Sequence, residues 1–126
     1  MAKAIRFEDL EVWKEGRELT RKVYKCSRNR QFSRDFSLRD HIRGAAISVT
    51  SNIAEGFDAQ SNLEFVRFLN YSRRSTSEVK SQLYVALDEN YIQQNEFTEI
   101  YELASKVSKM LFGFMRYLKT SNRKSP

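Results

Sequence analysis

Asn95-Glu96-Phe97-Thr98-Glu99-Ile100-Tyr101-Glu102-Leu103-Ala104-Ser105-Lys106-Val107-Ser108-Lys109-Met110-Leu111-Phe112-Gly113-Phe114-Met115-Arg116-Tyr117-Leu118 is the stretch that decides the fold. Its residues Phe97, Ile100, Ala104, Val107, Leu111, Phe114 and Leu118 alternate three and four apart, which places one side chain per turn on a single face of an α-helix. Phe65, Leu69, Ser72, Thr76, Val79, Leu83 and Ala86 repeat the pattern upstream. Leu38, Ile42, Ala45, Ala46, Val49 and Ile53 form a third stripe, and Val12, Trp13, Gly16, Leu19, Thr20, Val23 and Cys26 a fourth. The spacing predicts helices over about 9–29, 37–56, 62–90 and 95–120, with a basic tail at 121–126.

Punctuation supports these limits. Ser37 with Asp40, and Ser61 with Glu64, carry the spacing of a capping box, in which a hydroxyl and a carboxylate satisfy the first free backbone N–H groups. Gly56 is expected to stop its helix in left-handed conformation, and Asn90 to close the next one. The Arg-rich stretch from Asn29 to Asp35 reads as a connection whose Phe32 tucks onto the core. One Pro and four Gly in 126 residues leave little material for β-turns, and the length suits one domain. Short connections between long helices make sequential neighbours antiparallel, so the fold expected is an all-α, up-down-up-down four-helix bundle.

The chemistry-bearing residues are sparse. His41 and Cys26 are the only ones of their kind, and the residue three before His41 is Leu38, so the Glu-x-x-His pair of a di-iron bundle is absent. The sequence has no phosphate-binding Gly-rich loop, no Cys-x-x-Cys and no Gly-x-Ser-x-Gly elbow. No enzyme, cofactor or metal site is expected. A lone cysteine forms no internal disulfide, the first residues lack the apolar run of a signal peptide, and no apolar stretch is long enough to span a bilayer. A cytoplasmic protein with no membrane partner is the expectation.

Charge is more informative. The net charge is +6, with seven bases and one acid between Arg17 and Arg34, and six bases without an acid between Lys106 and Lys124. Helix dipoles account for acids at helix starts and bases at helix ends, but this density exceeds that need. In the expected bundle, Arg28, Arg30, Arg34, Arg39 and Arg43 gather at one pole. Arg67, Arg73, Arg74, Arg116, Lys119, Arg123 and Lys124 gather at the other. Such patches suit the phosphates of RNA or DNA, read by backbone and shape.

Asn52 is expected on the inward side in a hydrogen bond, and Glu55, Ser75 and Glu78 have structural polar roles. Folding the third helix back places residue i opposite about 118 − i, which brings Arg43 toward Ser75 and into an expected ion pair with Glu78. Phe68, Tyr71, Tyr84, Met110, Phe112 and Tyr117 lie off the buried stripes and are candidates for an oligomer interface. The alternative is that they serve a protein-interaction scaffold without nucleic-acid binding.

The string Ala45-Ala46-Ile47-Ser48-Val49-Thr50-Ser51-Asn52-Ile53-Ala54-Glu55-Gly56 resembles the signature of the bacterial four-helix-bundle family known as 23S rRNA intervening sequence proteins. Phe7-Glu8-Asp9-Leu10-Glu11-Val12-Trp13 resembles its opening motif, and Glu64-Phe65, Phe68-Leu69, Ser75 to Glu78 and Gln82-Leu83 resemble its third helix. The resemblance implies antiparallel bundles assembled as homopentamers. Some relatives are similar to accessory proteins of diversity-generating retroelements, which implies a reverse transcriptase or another nucleic-acid enzyme as partner. Two departures stand out: Gly44 replaces an arginine of the motif, and Ser72-Arg73-Arg74-Ser75 adds charge on the next helix.

Overall fold

A computed structural model describes residues 4–121. Among them the regular structure is entirely helical: a 3₁₀ turn at Phe7–Asp9, then α1 (Glu11–Cys26), a short α2 (Arg30–Arg34), α3 (Phe36–Phe57), α4 (Asn62–Asp88) and α5 (Gln94–Thr120). The four long helices correspond to the four periodic stripes and pack together around one core.

Local chemistry sets each boundary. Asp9 accepts the Ile5 and Arg6 N–H groups at 3.1 and 3.3 Å, which holds the 3₁₀ turn, so α1 begins at Glu11 rather than near Asp9. The stretch expected to be a plain connection winds into α2, because the Asn29 side chain accepts the Phe32 N–H at 2.8 Å and caps the turn. Phe32 is fully buried there, stacked on Tyr91 at 5.4 Å.

Two expected signals act differently in the fold. Asp35, not Ser37, caps α3, accepting the Leu38 N–H at 3.1 Å. A carboxylate is the stronger partner for the positive end of the helix dipole, and Ser37 lies inside the first turn while Asp40 pairs with Arg39. Gly56 is no left-handed stop either: α3 passes through it to Phe57, and among the described glycines none has positive φ. A Cβ on Gly56 would stand 2.7 Å from Phe65 Cδ1 and 2.9 Å from Phe68 Cβ, so the glycine is what lets α3 and α4 approach.

The other limits follow the expected rules more closely. Ser61 Oγ accepts the Glu64 N–H at 3.2 Å at the start of α4. Asn90 takes φ 63°, while its N–H donates to Leu87 O and the Tyr91 N–H donates to Ala86 O, a Schellman stop. Glu96 accepts the Gln93 N–H at 3.0 Å where α5 begins.

Packing brings small residues to the closest crossings. Ala46 is fully buried on α3, and Thr20 Oγ1 of α1 donates to its carbonyl at 3.1 Å. Ser72 Oγ, also fully buried, donates to Val49 O at 2.7 Å, and Ser75 Oγ to Ser48 Oγ at 3.1 Å. Lys22 reaches Glu99 at 2.6 Å and Lys106 reaches Glu15 at 3.1 Å, tying α1 to α5. On α5, Met115 takes the buried position expected of Phe114, which lies half-buried against Phe65.

Candidate functional site

The corner between α1 and α3 is organised by one side chain. Asn29 caps α2 through its carbonyl oxygen, while its amide donates to Cys26 O at 3.2 Å and to Tyr91 O at 2.7 Å. Tyr91 in turn donates its hydroxyl to Asp35 at 2.9 Å, and that acceptor carboxylate raises the tyrosine pKa. The end of α1, α2, the start of α3 and the α4–α5 loop are thereby pinned together. Phe32 faces inward from α2, so Arg30 and Arg34, each two residues from it, project outward one turn apart.

The five arginines expected at this corner divide into two groups. Arg28, Arg30 and Arg34 are exposed, and their guanidinium groups have no partner among the described residues. Arg39 is held: it donates to the Asp40 carboxylate at 2.9 Å and to Ser33 O at 3.0 Å, and its guanidinium lies 4.9 Å from the Phe36 ring centroid. Arg43 is held too, donating to Ser27 Oγ at 2.7 Å with its guanidinium 4.5 Å from the Tyr24 ring.

The expected Arg43–Glu78 ion pair does not form; no such pair exists among the described residues. Ser48–Ser75 and Val49–Ser72 set the α3–α4 register several residues away from the one expected, so Glu78 comes to the groove beside Gly44. Arg43 points instead to the α1 side of α3.

A shallow groove of about 420 Å³ runs along the α3–α4 face, lined by Ser48, Asn52, Tyr71, Arg74, Ser75 and Glu78. It meets a second, of about 320 Å³, that shares Ser48 and Glu78 and reaches His41, Gly44 and Gln82. Asn52 is half-buried and donates to Ser48 O at 2.8 Å and Ser48 Oγ at 3.0 Å, while buried Ser75 donates to the same hydroxyl. Glu55 and Glu78 are exposed on this face. The Gln82 side-chain oxygen is buried without a hydrogen-bond partner. His41 Nδ1 lies 2.8 Å from Ser37 O, a contact that makes the nitrogen a donor.

The second expected pole is not gathered as one patch. Arg67, Arg116 and Lys119 are exposed, with Arg67 3.6 Å from Glu64 and donating to the Tyr71 hydroxyl at 3.3 Å. Arg73 and Arg74 lie about 9 Å or more further along α4, given the rise per residue. Arg73 sits 5.6 Å from the Phe112 ring with its Nε buried and unpartnered, and Arg74 faces the groove. Arg123 and Lys124 lie outside the described residues.

The aromatic candidates divide as well. Tyr71, Tyr84, Phe112 and Tyr117 are exposed. Phe68 is half-buried against Gly56 and edge-on to Tyr71 at 6.0 Å, and Met110 packs on the core, so both serve the single chain. Cys26 is buried, and desolvation pushes its thiol up to about 12. Among the described residues no three His, Cys, Asp or Glu side chains converge to hold a metal, and no helix is long and apolar enough to cross a membrane. Sequence reasoning missed Phe36, 64% exposed beneath Arg39. Its position directly after the capping aspartate was the available signal.

Among curated proteins none matches the chain. A solved structure, of a protein of unknown function from the S23 ribosomal protein family of Bacteroides thetaiotaomicron VPI-5482, superposes with a TM-score of 0.77 at 23% identity, covering 83% of this chain and 98% of that one. At that identity the likeness speaks for the fold. The model of the 23S rRNA-intervening sequence proteins matches residues 8–113, a span that holds the opening motif from Glu8 onward, the α3 string and the α4 motifs, and the chain therefore belongs to that family.

Proposed function

We propose that this chain is the subunit of a non-enzymatic, homo-oligomeric accessory protein of the cytoplasm, a homopentamer by family resemblance, whose basic surface engages RNA or DNA. A nucleic-acid enzyme such as a reverse transcriptase is the partner that the same resemblance suggests. The observation that carries the reading is the α1–α3 corner, where Arg28, Arg30 and Arg34 stand exposed with no competing carboxylate on their guanidinium groups. Unpaired, pre-positioned cations release counterions from a phosphate backbone at little ordering cost. A ring of subunits repeats the corner and multiplies weak contacts. The α1–α5 pairs Lys22–Glu99 and Glu15–Lys106, whose numbers run in opposite directions along the two helices, support an up-down-up-down arrangement. A buried, neutral Cys26 and a His41 tied to a backbone carbonyl support a non-enzymatic role.

The test combines light scattering with binding across a salt series. The expected result is an assembly heavier than one chain that shifts structured RNA or duplex DNA at low salt, with affinity falling as salt rises. Arg28→Glu/Arg30→Glu/Arg34→Glu lowers affinity at least about tenfold, by loss of several phosphate contacts. A monomer that shifts neither nucleic acid overturns the proposal. The second reading, a protein-interaction scaffold, is favoured by exposed Tyr71 in the α3–α4 groove and by exposed Tyr84 and Phe112 on α4 and α5, and it predicts assembly without any salt-dependent shift.

A further inference from the structure

We infer that the α2–α3 corner is a stacking site for an unpaired base of a single-stranded polynucleotide, with Phe36 as the platform and Arg30 and Arg34 as flanking phosphate contacts. This rests on the nucleic-acid reading above and specifies the form of nucleic acid. Phe36 is 64% exposed at the first turn of α3, more than any other aromatic side chain among the described residues. One side of the ring is covered by the Arg39 guanidinium at 4.9 Å, which leaves the opposite side open to solvent. Arg39 is itself fixed by Asp40 and the Ser33 carbonyl, so the cation and ring form a prepared plate rather than two mobile side chains.

The surroundings match the rest of a nucleotide. Arg30 and Arg34 project from the outer side of α2, which ends two residues before Phe36. The two nearby carboxylates are occupied: Asp35 accepts the Leu38 N–H and the Tyr91 hydroxyl, and Asp40 accepts from Arg39. Their repulsion of a phosphate is thus partly compensated. Bases in a duplex are already stacked on both faces and offer none to an exposed ring, whereas single strands do, and a phenyl plate accepts any base. RNA and DNA single strands share this chemistry.

The experiment titrates fluorescently labelled oligouridylate, oligodeoxythymidylate and a duplex of equal length with the full chain. Phe36→Ala is expected to weaken binding of the single strands at least about fivefold, while duplex affinity and the salt slope stay unchanged. Phe36→Trp restores single-strand affinity, and its added indole emission is quenched by the oligonucleotide but not by the duplex. Comparison of the ribo and deoxyribo strands assigns the sugar preferred. If Phe36→Ala binds single strands within about twofold of the parent while Arg30→Glu/Arg34→Glu weakens them, the basic corner stands and the stacking inference falls. An equal loss on duplex and single strand also overturns stacking. Absence of binding to all three probes overturns both readings.

Discussion

Gly56→Ala and Gly113→Ala are the same substitution on the same kind of backbone, and the structure gives them opposite signs. Both glycines lie within helices, where alanine is favoured by up to about 1 kcal/mol. At Gly113 an added Cβ meets nothing within 4 Å, so that gain should appear nearly whole. At Gly56 the Cβ arrives 2.7 Å from Phe65 Cδ1, 3.1 Å from Phe65 Cε1 and 2.9 Å from Phe68 Cβ. The Phe65 ring cannot simply swing away, because Phe57 and Phe114 flank it edge-on with centroids at 6.3 and 5.1 Å. Phe68 Cβ moves only with its backbone. Overpacking of this kind costs about 1–3 kcal/mol, which offsets the helix-propensity gain and leaves Gly56→Ala less stable than the parent by up to about 2 kcal/mol. The propensity gain cancels between the two variants, which should then differ by about 1–3 kcal/mol, or on the order of 5–10 °C in Tm for a chain of this size. Urea titration followed by far-UV circular dichroism measures the difference, at one protein concentration because assembly shifts apparent stability. If Gly56→Ala unfolds at the same urea concentration as Gly113→Ala, the close α3–α4 approach is not what requires glycine at 56.

Two further outcomes follow from local geometry. Cys26, its thiol raised from 9.0 to about 12 by burial, should resist alkylation at pH 8 in the folded protein and react fully in urea. Its raised pKa contributes stability that is complete below pH 9 and lost as pH rises toward about 12, because only the unfolded chain ionises there; Cys26→Ala should make that decline shallower. Asn90, at φ 63°, sits where a Cβ-bearing residue without a local hydrogen-bonding side chain is strained, so Asn90→Ala should cost about 1 kcal/mol and Asn90→Gly should not, as thermal unfolding would report.

The long helices were legible because burial imposes a period: Leu69, Val79, Leu83, Val107 and Leu111 are fully buried at the positions their spacing marks. Signals with two possible meanings were less legible. Asp35 and Ser37 are both good helix caps, and only the path of the preceding chain decides between them. Gly56 has the composition of a stop but serves as a contact surface, a distinction that depends on Phe65 and Phe68 from another helix. The Arg43–Glu78 expectation failed because loop length alone does not set helix register; the hydroxyl contacts of Ser72 and Ser75 with α3 do. At the basic corner, the arginine cluster was legible, but which arginines are held by Tyr24, Ser27 and Asp40 depends on tertiary neighbours.

Asn29 joins residues that the chain supplies far apart in time. Its bond to the Tyr91 carbonyl spans 62 positions, and Tyr91 follows α4 and its Schellman stop. During synthesis the arginines therefore emerge long before the loop that anchors them, and the corner reaches its final geometry only after the second half of the chain has been made and folded. A fragment ending before α4 closes would carry the same positive charge on an unanchored segment. The geometry of the corner thus depends on a loop that the chain supplies 62 residues after Asn29.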